Sequence, residues 1–410
     1  MAIGDIIVGI DIGTSRVSTV VGEVNNFNQI EIICSTTCKC AGIKRGKIIS
    51  EEDVSIAISK CIKEAEEFAN FKINSAYTTI PGKYVTIVQN SIVKEAKDKY
   101  AGISIKDVAS AIIQIRDIEV PEDKVLIDVV PDKFMLEDGK TIDDPVGKFS
   151  SSFTLTAQII LAEKDYIRQL TSIFKKAGID IDGVVPNTLA ERNLVLDVNE
   201  LNDNVMILDI GAGNTDIGVF NGSSFVYTNT INLGGDNITS DIAYVLDISD
   251  EEAEKLKRQY GLALRSFIDN DNNIGLNTCK SYEEKSRTIK SSELIEIIEA
   301  RVEEIFSLVN KDITTQGLKK SINNVVLTGE GIVNINKSDM AGKIILNIPV
   351  KISTGRLIST IKSIYRTSYS LVRYIAARPY AKTVSSSIDV KTEKKYLKVF
   401  IEKVRDFFYS

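Results

Sequence analysis

Residues 204–220 read NVMILDIGAGNTDIGVF, a strand–turn–strand pattern with an acidic residue at the end of its first strand. The apolar run from Val205 to Leu208 predicts a buried strand that ends at Asp209. Gly211 and Gly213 can take a positive φ, which permits a tight turn before the next strand. Such a turn can place backbone N–H groups against a phosphate, although an ordinary β-hairpin has the same pattern.

A second copy of the pattern stands at the start of the chain and favours the phosphate-binding interpretation. An apolar run over residues 6–10 is followed by Asp11-Ile12-Gly13-Thr14-Ser15 and by a strand-like alternation over residues 17–24. The two copies agree in order, with one extra residue in the second turn. Two halves that begin alike predict a duplicated α/β fold with a small-molecule ligand between them.

The composition is that of an ordinary globular protein, with 43% apolar and 26% charged residues. The 410 residues suffice for two or three domains. The 50 basic and 56 acidic residues give a net charge of −6, which argues against a general nucleic-acid binder. No apolar run reaches the length of about 18 residues that a transmembrane helix needs, and no signal peptide is evident, so we expect a cytosolic protein.

Cysteine and histidine usage excludes several kinds of site. The five cysteines favour reduced thiols, and the cluster of Cys34, Cys38 and Cys40 is interpreted as structural thiols rather than as zinc ligands. Because the chain has no histidine, nucleophiles that are activated by histidine are excluded.

Periodicity predicts the other elements. Strands are expected at residues 30–36, 75–80, 84–89, 124–130, 133–136, 153–161, 225–232 and 324–327. Helices are expected at about 51–70, from 104 onward, at 163–177 and 187–198, after Asp236 as far as Leu246, and at 251–260 and 292–310. Residues 269–277 are predicted to be a polar loop. The segment from 84 to 161 is interpreted as an inserted α+β subdomain.

The chemistry of the paired turns calls for a metal ion. Neither turn carries the lysine of a Walker P-loop, so phosphate charge needs another partner. Backbone amides can hold phosphate oxygens, and Asp11 and Asp209, acting through water, can position a Mg²⁺ ion. The metal would then bind together with the nucleotide.

Three segments resemble the two phosphate motifs and the adenosine motif of the actin-like ATPase superfamily: Asp11-Ile12-Gly13-Thr14, Asp209-Ile210-Gly211-Ala212-Gly213-Asn214-Thr215-Asp216 and Leu327-Thr328-Gly329-Glu330-Gly331. Within it the chain resembles the FtsA family, bacterial division proteins that tether FtsZ filaments to the membrane. Further similar segments lie at residues 42–47, 144–147, 234–243 and 251–261. The resemblance implies an α/β, actin-like (ribonuclease H-like), duplicated two-lobed fold with an inserted small α+β subdomain and a C-terminal amphipathic helix.

The resemblance also divides the chain. Residues 1–83 and 162–199 would form the core of the first lobe, 84–161 the insert, 200–232 and 315–382 the core of the second lobe, 233–314 a subdomain of the second lobe, 383–392 a linker and 393–410 a membrane-targeting helix.

ATP and Mg²⁺ are the implied cofactors. The implied nucleotide contacts are Asp11, Gly13, Thr14, Ser15, Gly211, Ala212, Gly213, Asn214, Thr215, Gly234, Gly235, Glu254, Lys257, Gly329, Glu330 and Gly331. Glu254 and Lys257 would approach the ribose and adenine, or else form an i,i+3 pair on a solvated helix. Glu330 stands where the family has a glycine.

Slow hydrolysis at most is expected, because Val185 stands where chaperone relatives carry a glutamate that helps to orient water. The candidates for orienting that water here are Asp209, Asp216 and Glu191. An exposed helical glutamate is the alternative interpretation of Glu191, and the one that we favour from the sequence.

The end of the chain has an amphipathic pattern. From residue 393 to 409, one helical face collects Tyr396, Leu397, Phe400, Ile401, Val404, Phe407 and Phe408. Charged residues on the other face carry a net +2. The pattern fits an in-plane helix on an anionic membrane or a helix packed on its own domain. The FtsA resemblance favours the membrane helix.

The implied function is that of an ATP-binding protein that polymerises at the cytoplasmic membrane and tethers FtsZ filaments at the division site. Its implied partners are FtsZ, further copies of itself, anionic lipids and other division proteins, and not nucleic acid. It would be a peripheral protein on the cytoplasmic face. Two alternatives remain: a PilM-like actin homologue of a pilus assembly system, and a small-molecule kinase of the same superfamily.

Overall fold

The computed structural model describes residues 4–27, 29–44, 46–97, 102–276, 287–353 and 362–378. The predicted linker at 383–392 and the predicted amphipathic helix at 393–410 lie outside these residues. No helix within the described ranges is long and apolar enough to cross a membrane.

The secondary structure alternates between strands and helices along the chain. The strands are β1 (Ile6–Ile12), β2 (Arg16–Val24), β3 (Ile30–Lys39), β4 (Ile43–Lys44), β5 (Lys47–Ile48), β6 (Ser75–Ile80), β7 (Val85–Glu95), β8 (Lys124–Leu136), β9 (Thr141–Ile142), β10 (Ser152–Glu163), β11 (Asp180–Pro186), β12 (Asn204–Ile210), β13 (Thr215–Asn221), β14 (Ser224–Ile231), β15 (Asn273–Leu276), β16 (Arg287–Lys290), β17 (Asn324–Thr328) and β18 (Val350–Ile352). The helices are α1 (Glu51–Ala69), α2 (Ile105–Gln114), α3 (Lys164–Ala177), α4 (Asn187–Val195), α5 (Gly235–Leu246), α6 (Asp250–Tyr260), α7 (Ser291–Thr315), α8 (Ser338–Leu346) and α9 (Arg366–Ala377).

Two five-stranded sheets repeat one topology, as the duplicated turns predict. The first sheet has the order β3-β2-β1-β6-β11, and the second sheet has the order β14-β13-β12-β17-β18. In each sheet three antiparallel strands are followed by two parallel ones. The two leading hairpins, β1-β2 and β12-β13, therefore occupy equivalent places in the two sheets.

The two turns have equal length, so the expectation of one extra residue in the second turn is wrong. Ile12 pairs with Val17 and Ile210 pairs with Thr215, which leaves residues 13–16 and 211–214 in the respective turns. The sequence alone suggests that the second strand of the β12-β13 hairpin begins after Thr215. The ladder already includes Thr215, and this accounts for the apparent extra residue.

A third sheet, with the order β7-β10-β8-β9, lies between β6 and α3 in the chain and is covered by α2. The helix begins with a capping box in which Ser104 and Asp107 bond to one another's backbone. Two strands were predicted at 124–130 and 133–136, but β8 is continuous. A bulge at Asp132, next to Pro131, shifts the register and interrupts the alternation.

Other boundaries also differ from the sequence-based expectations, and the strand predicted at 84–89 continues as β7 to Glu95. The predicted loop at 269–277 contains β15, whose Ile274 and Leu276 are buried within an otherwise polar segment. Helix α4 ends at Val195 because Leu196 is already extended, and α7 continues to Thr315. Other helices end where the sequence predicts, such as α3, which ends before Gly178 in the left-handed region.

Helix α9 follows the second sheet in the chain but packs against the first. Gly9 on β1 and Gly22 on β2 allow this approach, since a Cβ on Gly9 would lie 2.8 Å from the backbone oxygen of Ser368. The hydroxyl groups of Ser18 and Ser368 are hydrogen-bonded at 3.0 Å. Apolar side chains of α9 join one buried cluster with residues of both sheets: Ile7, Val20, Ile207, Val326, Leu371, Val372 and Ile375.

Candidate nucleotide-binding site

The two hairpin turns meet face to face. In each turn the first glycine donates its N–H to the backbone oxygen three residues later, at 2.9 Å from Gly13 to Arg16 and at 2.8 Å from Gly211 to Asn214. A Cβ on Gly213 would lie 2.6 Å from Cγ2 of Thr14, so this glycine is needed for the contact between the turns. The turns line one cavity together, which we call the turn cavity.

The glycines of the second turn do not have the predicted backbone conformation. Neither Gly211 nor Gly213 has a positive φ, whereas Gly329 does, with φ of 100°. The absence of a side chain, and not the backbone conformation, therefore accounts for the glycines at 211 and 213. Gly211 lines the turn cavity, and Gly213 contacts the opposite turn.

Three aspartates line the turn cavity: Asp11, Asp209 and Asp216. Asp11 accepts a hydrogen bond of 3.1 Å from Thr79, and Asp216 accepts one of 2.8 Å from Asn187 and another from Thr230. Burial, followed by repulsion from neighbouring carboxylates, raises the pKa of Asp11 and of Asp216 to about 6. A cation placed among them would relieve this repulsion.

Arg366, the first residue of α9, also lines the turn cavity. Its Nη2 donates to Oδ1 of Asp209 at 3.1 Å, and its Nε lies 3.6 Å from Oε1 of Glu191. The guanidinium group thus contacts two carboxylates that come from different segments. No sequence motif indicated this residue.

Glu191 is fully buried, so the favoured interpretation of an exposed helical glutamate is wrong. It accepts a hydrogen bond of 2.8 Å from Thr367 and pairs with Arg366, and these contacts hold it in the interior. It is not among the residues that line the turn cavity. Burial, reinforced by the charge of Asp209, raises the pKa of Glu191 to about 8.

The buried carboxyls predict that stability falls as pH rises. A carboxyl whose pKa is higher in the folded state than in the unfolded state stabilises the fold below its ordinary pKa, and this contribution is lost as pH rises through the folded value. For Glu191 that window runs from the ordinary value of 4.5 up to about 8. Between pH 6 and 8, nucleotide-free and metal-free protein should lose on the order of 1–2 kcal/mol of unfolding free energy.

Thermal and urea unfolding at several pH values would measure this loss. Glu191→Gln, which stays uncharged, should flatten the dependence, whereas Glu67→Gln on the exposed face of α1 should leave it unchanged. An equally steep dependence in Glu191→Gln would show that other groups cause it.

A second opening, which we call the helix cavity, lies beside α5 and α6. Glu254 and Lys257 both line it, together with Gly235 and Thr239. Lys257 is buried and its Nζ donates to the Gly235 oxygen at 3.0 Å and to Thr239 at 2.8 Å. Lys257 and Glu254 do form an ion pair, at 2.5 Å. Because the ammonium group of Lys257 is buried, however, the pair does not lie on a solvated helix face as the alternative interpretation expected.

Glu330 connects the two cavities, since it lines both of them. It stands between Gly329 and Gly331, and its carboxylate accepts a hydrogen bond from Ser363, just before α9. Gly331 and Gly235 are in close backbone contact, because a Cβ on Gly235 would lie 2.6 Å from Cα of Gly331. The predicted adenosine turn therefore adjoins the predicted phosphate turns.

Most of the predicted nucleotide contacts line these cavities. Those that do are Asp11, Gly13, Thr14, Ser15, Gly211, Ala212, Gly213, Asn214, Gly235, Glu254, Lys257, Glu330 and Gly331. Three others have supporting positions. Thr215 donates to the Leu233 oxygen at 2.8 Å, Gly234 is packed against Ala212, and Gly329 is packed against Ile210. Sequence reasoning missed Thr79, Asn187 and Arg366, which reach the cavity from segments without a phosphate motif.

The donor set of the turn cavity fits Mg²⁺ held through water. No cluster of three acidic or cysteine side chains in the described residues could hold a metal ion directly. Buried side-chain oxygens of Asn187 and Asn214 have no hydrogen-bond partner there, and both residues line the cavity. Carboxylate and amide oxygens of this kind can accept hydrogen bonds from metal-bound water.

Comparison with known proteins decides the family. Residues 206–372 match the family model described as cell division protein FtsA, and residues 82–161 match the model of the SHS2 domain inserted in FtsA. The cell division protein FtsA of Borreliella burgdorferi is 30% identical over 355 residues, which cover 85% of this chain and 84% of that protein. The chain belongs to the FtsA family. FtsA of Bacillus subtilis is 28% identical, with 90% of this chain and 83% of that protein covered.

Solved structures show that this FtsA-family chain has the actin-like fold. MreB5 of Spiroplasma citri bound to ADP aligns with a TM-score of 0.56 at 14% identity, covering 95% of this chain and 99% of that one. The PilM-PilN type IV pilus biogenesis complex gives 0.56 at 15% identity, with 91% and 98% covered. The predicted α/β, actin-like fold with an inserted subdomain is confirmed, and the protein is a cell division protein of the FtsA family.

Proposed function

We propose that this protein binds ATP with Mg²⁺, polymerises on the cytoplasmic face of the membrane and tethers FtsZ filaments at the division site. The observation that carries the proposal is the meeting of the two duplicated turns, which line one cavity with three aspartates, of which Asp209 and Asp216 are buried. Family membership supports the role in division. In this proposal the two lobes, the insert at 84–161, the linker at 383–392 and the membrane helix at 393–410 have the bounds that the sequence predicts.

The chain's own groups suit a triphosphate and its metal. Backbone N–H groups of the two turns would bind phosphate oxygens. Asp11 and Asp209 would accept hydrogen bonds from metal-bound water. Bound Mg²⁺ would supply further positive charge beside Asp11 and Asp209. Glu254 and Lys257 would approach the ribose and adenine in the helix cavity.

The nucleotide would act mainly by fixing the angle between the lobes. Contacts between the halves already surround the cavity: Thr14 touches Gly213, Asn187 bonds to Asp216, and Lys83 donates to Asn232 at 2.8 Å. A ligand held by both turns would stabilise one arrangement of the halves and so favour polymerisation. Hydrolysis would be slow, with Asp209 or Asp216 orienting water, whereas Glu191 does not line the cavity and would act only through its contact with Arg366.

The two alternatives lack a specific observation in their favour. A PilM-like protein shares the fold, but the family match is to FtsA. A small-molecule kinase needs room for a second substrate beside the terminal phosphate. In the proposed arrangement, Arg366 and the aspartates that line the cavity would take up this room. Phosphorylation of small alcohols or acids at ordinary enzyme rates would contradict the adaptor role.

The membrane role predicts that residues 394–410 carry lipid binding. With ATP present, the full chain should float with anionic vesicles in a density gradient, whereas a chain truncated before Lys394 should stay at the bottom. Flotation separates vesicle binding from filament sedimentation. Because one short amphipathic helix binds weakly, polymerisation should strengthen the binding through avidity.

Two controls sharpen this test. Phe407→Glu combined with Phe408→Glu keeps the chain length and should also abolish flotation. Zwitterionic vesicles should recruit much less of the full chain, because the basic face needs anionic lipid. Purified FtsZ should float only when the full chain is present. Equal flotation of the full and truncated chains would contradict the tether.

A further inference from the structure

Arg366 is the feature of the turn cavity that the proposed mechanism does not use. Its side chain is 11% exposed, and what remains accessible faces the cavity that Gly13, Thr14 and Gly211 also line. Its Nε forms no hydrogen bond within the described part of the chain. A buried cation with unused donor capacity therefore lies beside both turns.

The cationic residues that line this cavity, among those described, are Arg16 and Arg366. Arg16 belongs to the first turn and lines the helix cavity as well. Arg366 instead lies beside the aspartate at the end of β12, in contact with Asp209. The two arginines thus lie at different parts of the opening, and Arg366 is the one beside the predicted metal-water position.

The local charge is unbalanced without a ligand. One guanidinium group contacts both Asp209 and Glu191, while Asp11 and Asp216 line the same cavity. A hydrated metal ion at Asp209 would take over part of the charge that Arg366 now neutralises. The guanidinium would then be free to donate to a phosphate oxygen, for which its planar, forked donors are well suited.

We propose that Arg366 binds the terminal phosphate of the nucleotide and makes the site selective for the triphosphate over the diphosphate. This inference rests on the proposed nucleotide binding and goes beyond it, because it assigns the discrimination to a residue outside every phosphate motif. Arg366 is the first residue of α9, so loss of the terminal phosphate would remove a contact at the start of this helix.

The test compares ATP and ADP affinity in Arg366→Ala and Arg366→Lys by calorimetry, with Mg²⁺ and with EDTA. Arg366→Ala should lower ATP affinity about tenfold or more while changing ADP affinity little, as expected for loss of a charge-assisted contact. Arg366→Lys should recover part of the ATP affinity. Without Mg²⁺, the difference in ATP affinity between the wild type and Arg366→Ala should shrink, because Arg366 then stays paired with Asp209.

Arg373→Ala is the matched control, because Arg373 lies on the same helix and stacks on Tyr369, 5.9 Å from the ring centre. Its ATP-to-ADP affinity ratio should equal that of the wild type. An unchanged ratio in both Arg366 variants, with wild-type binding intact, would overturn the inference alone. Failure of the wild type to bind either nucleotide would overturn the proposed function and this inference with it.

Discussion

Gly211→Val should abolish nucleotide binding while leaving the protein folded. Gly211 lines the turn cavity, where its backbone would face the phosphates. A Cβ at this position meets only the backbone oxygen of Asn214, at 3.5 Å, which is an ordinary contact. We therefore expect the added methyl groups to project into the cavity, where they would exclude the phosphates without displacing other protein atoms. We expect ATP affinity to fall by at least about 100-fold, or roughly 2.7 kcal/mol.

Equilibrium binding of a fluorescent ATP analogue would measure this effect, with thermal unfolding as the check on folding. Gly275→Val is a suitable control because a Cβ there, on β15, would meet nothing within 4 Å and Gly275 does not line the cavity. Wild-type affinity in Gly211→Val would place the phosphates elsewhere.

Ile375→Ala should cost about 2–5 kcal/mol of unfolding free energy, the usual range for removing a buried isoleucine side chain. Ile375 is 2% exposed and belongs to the cluster in which α9 joins the two sheets. The truncation would leave a cavity in a cluster to which both sheets contribute, so we expect little collapse around it.

Urea unfolding of Ile375→Ala and Ile344→Ala would isolate the effect of burial. Ile344 lies on α8 and is 65% exposed, so the same truncation there should change stability by less than about 0.5 kcal/mol. Similar losses in the two variants would mean that α9 contributes little to the packing of the first sheet.

The sequence predicts the parts of the site whose contacts are local. Each hairpin turn is specified by neighbouring residues, and the repetition of the pattern at Asp11 and Asp209 indicated that the two turns form one site. The ladders confirm both hairpins, with turns of equal length. The reason for the glycines was misjudged, since the contact between Gly213 and Thr14 joins segments that are distant in the chain.

Residues with distant partners could not be predicted. Arg366 pairs with Asp209 and Glu191, and neither helical periodicity nor any motif connects these three positions. Glu191 followed the usual expectation for glutamate and was misjudged for the same reason. The bulge at Asp132 and the short strand at Ile274 were missed because their apolar patterns are interrupted or too brief.

The packing of α9 on β1 and β2 has a consequence for biosynthesis. The ribosome makes Gly9 and Gly22 long before the helix that covers them, since α9 spans Arg366–Ala377. During translation the first sheet would therefore keep an apolar face uncovered while the insert and the second sheet are made. Such exposed surfaces are bound by chaperones or aggregate. The first sheet can therefore be fully covered only after α9 has been made.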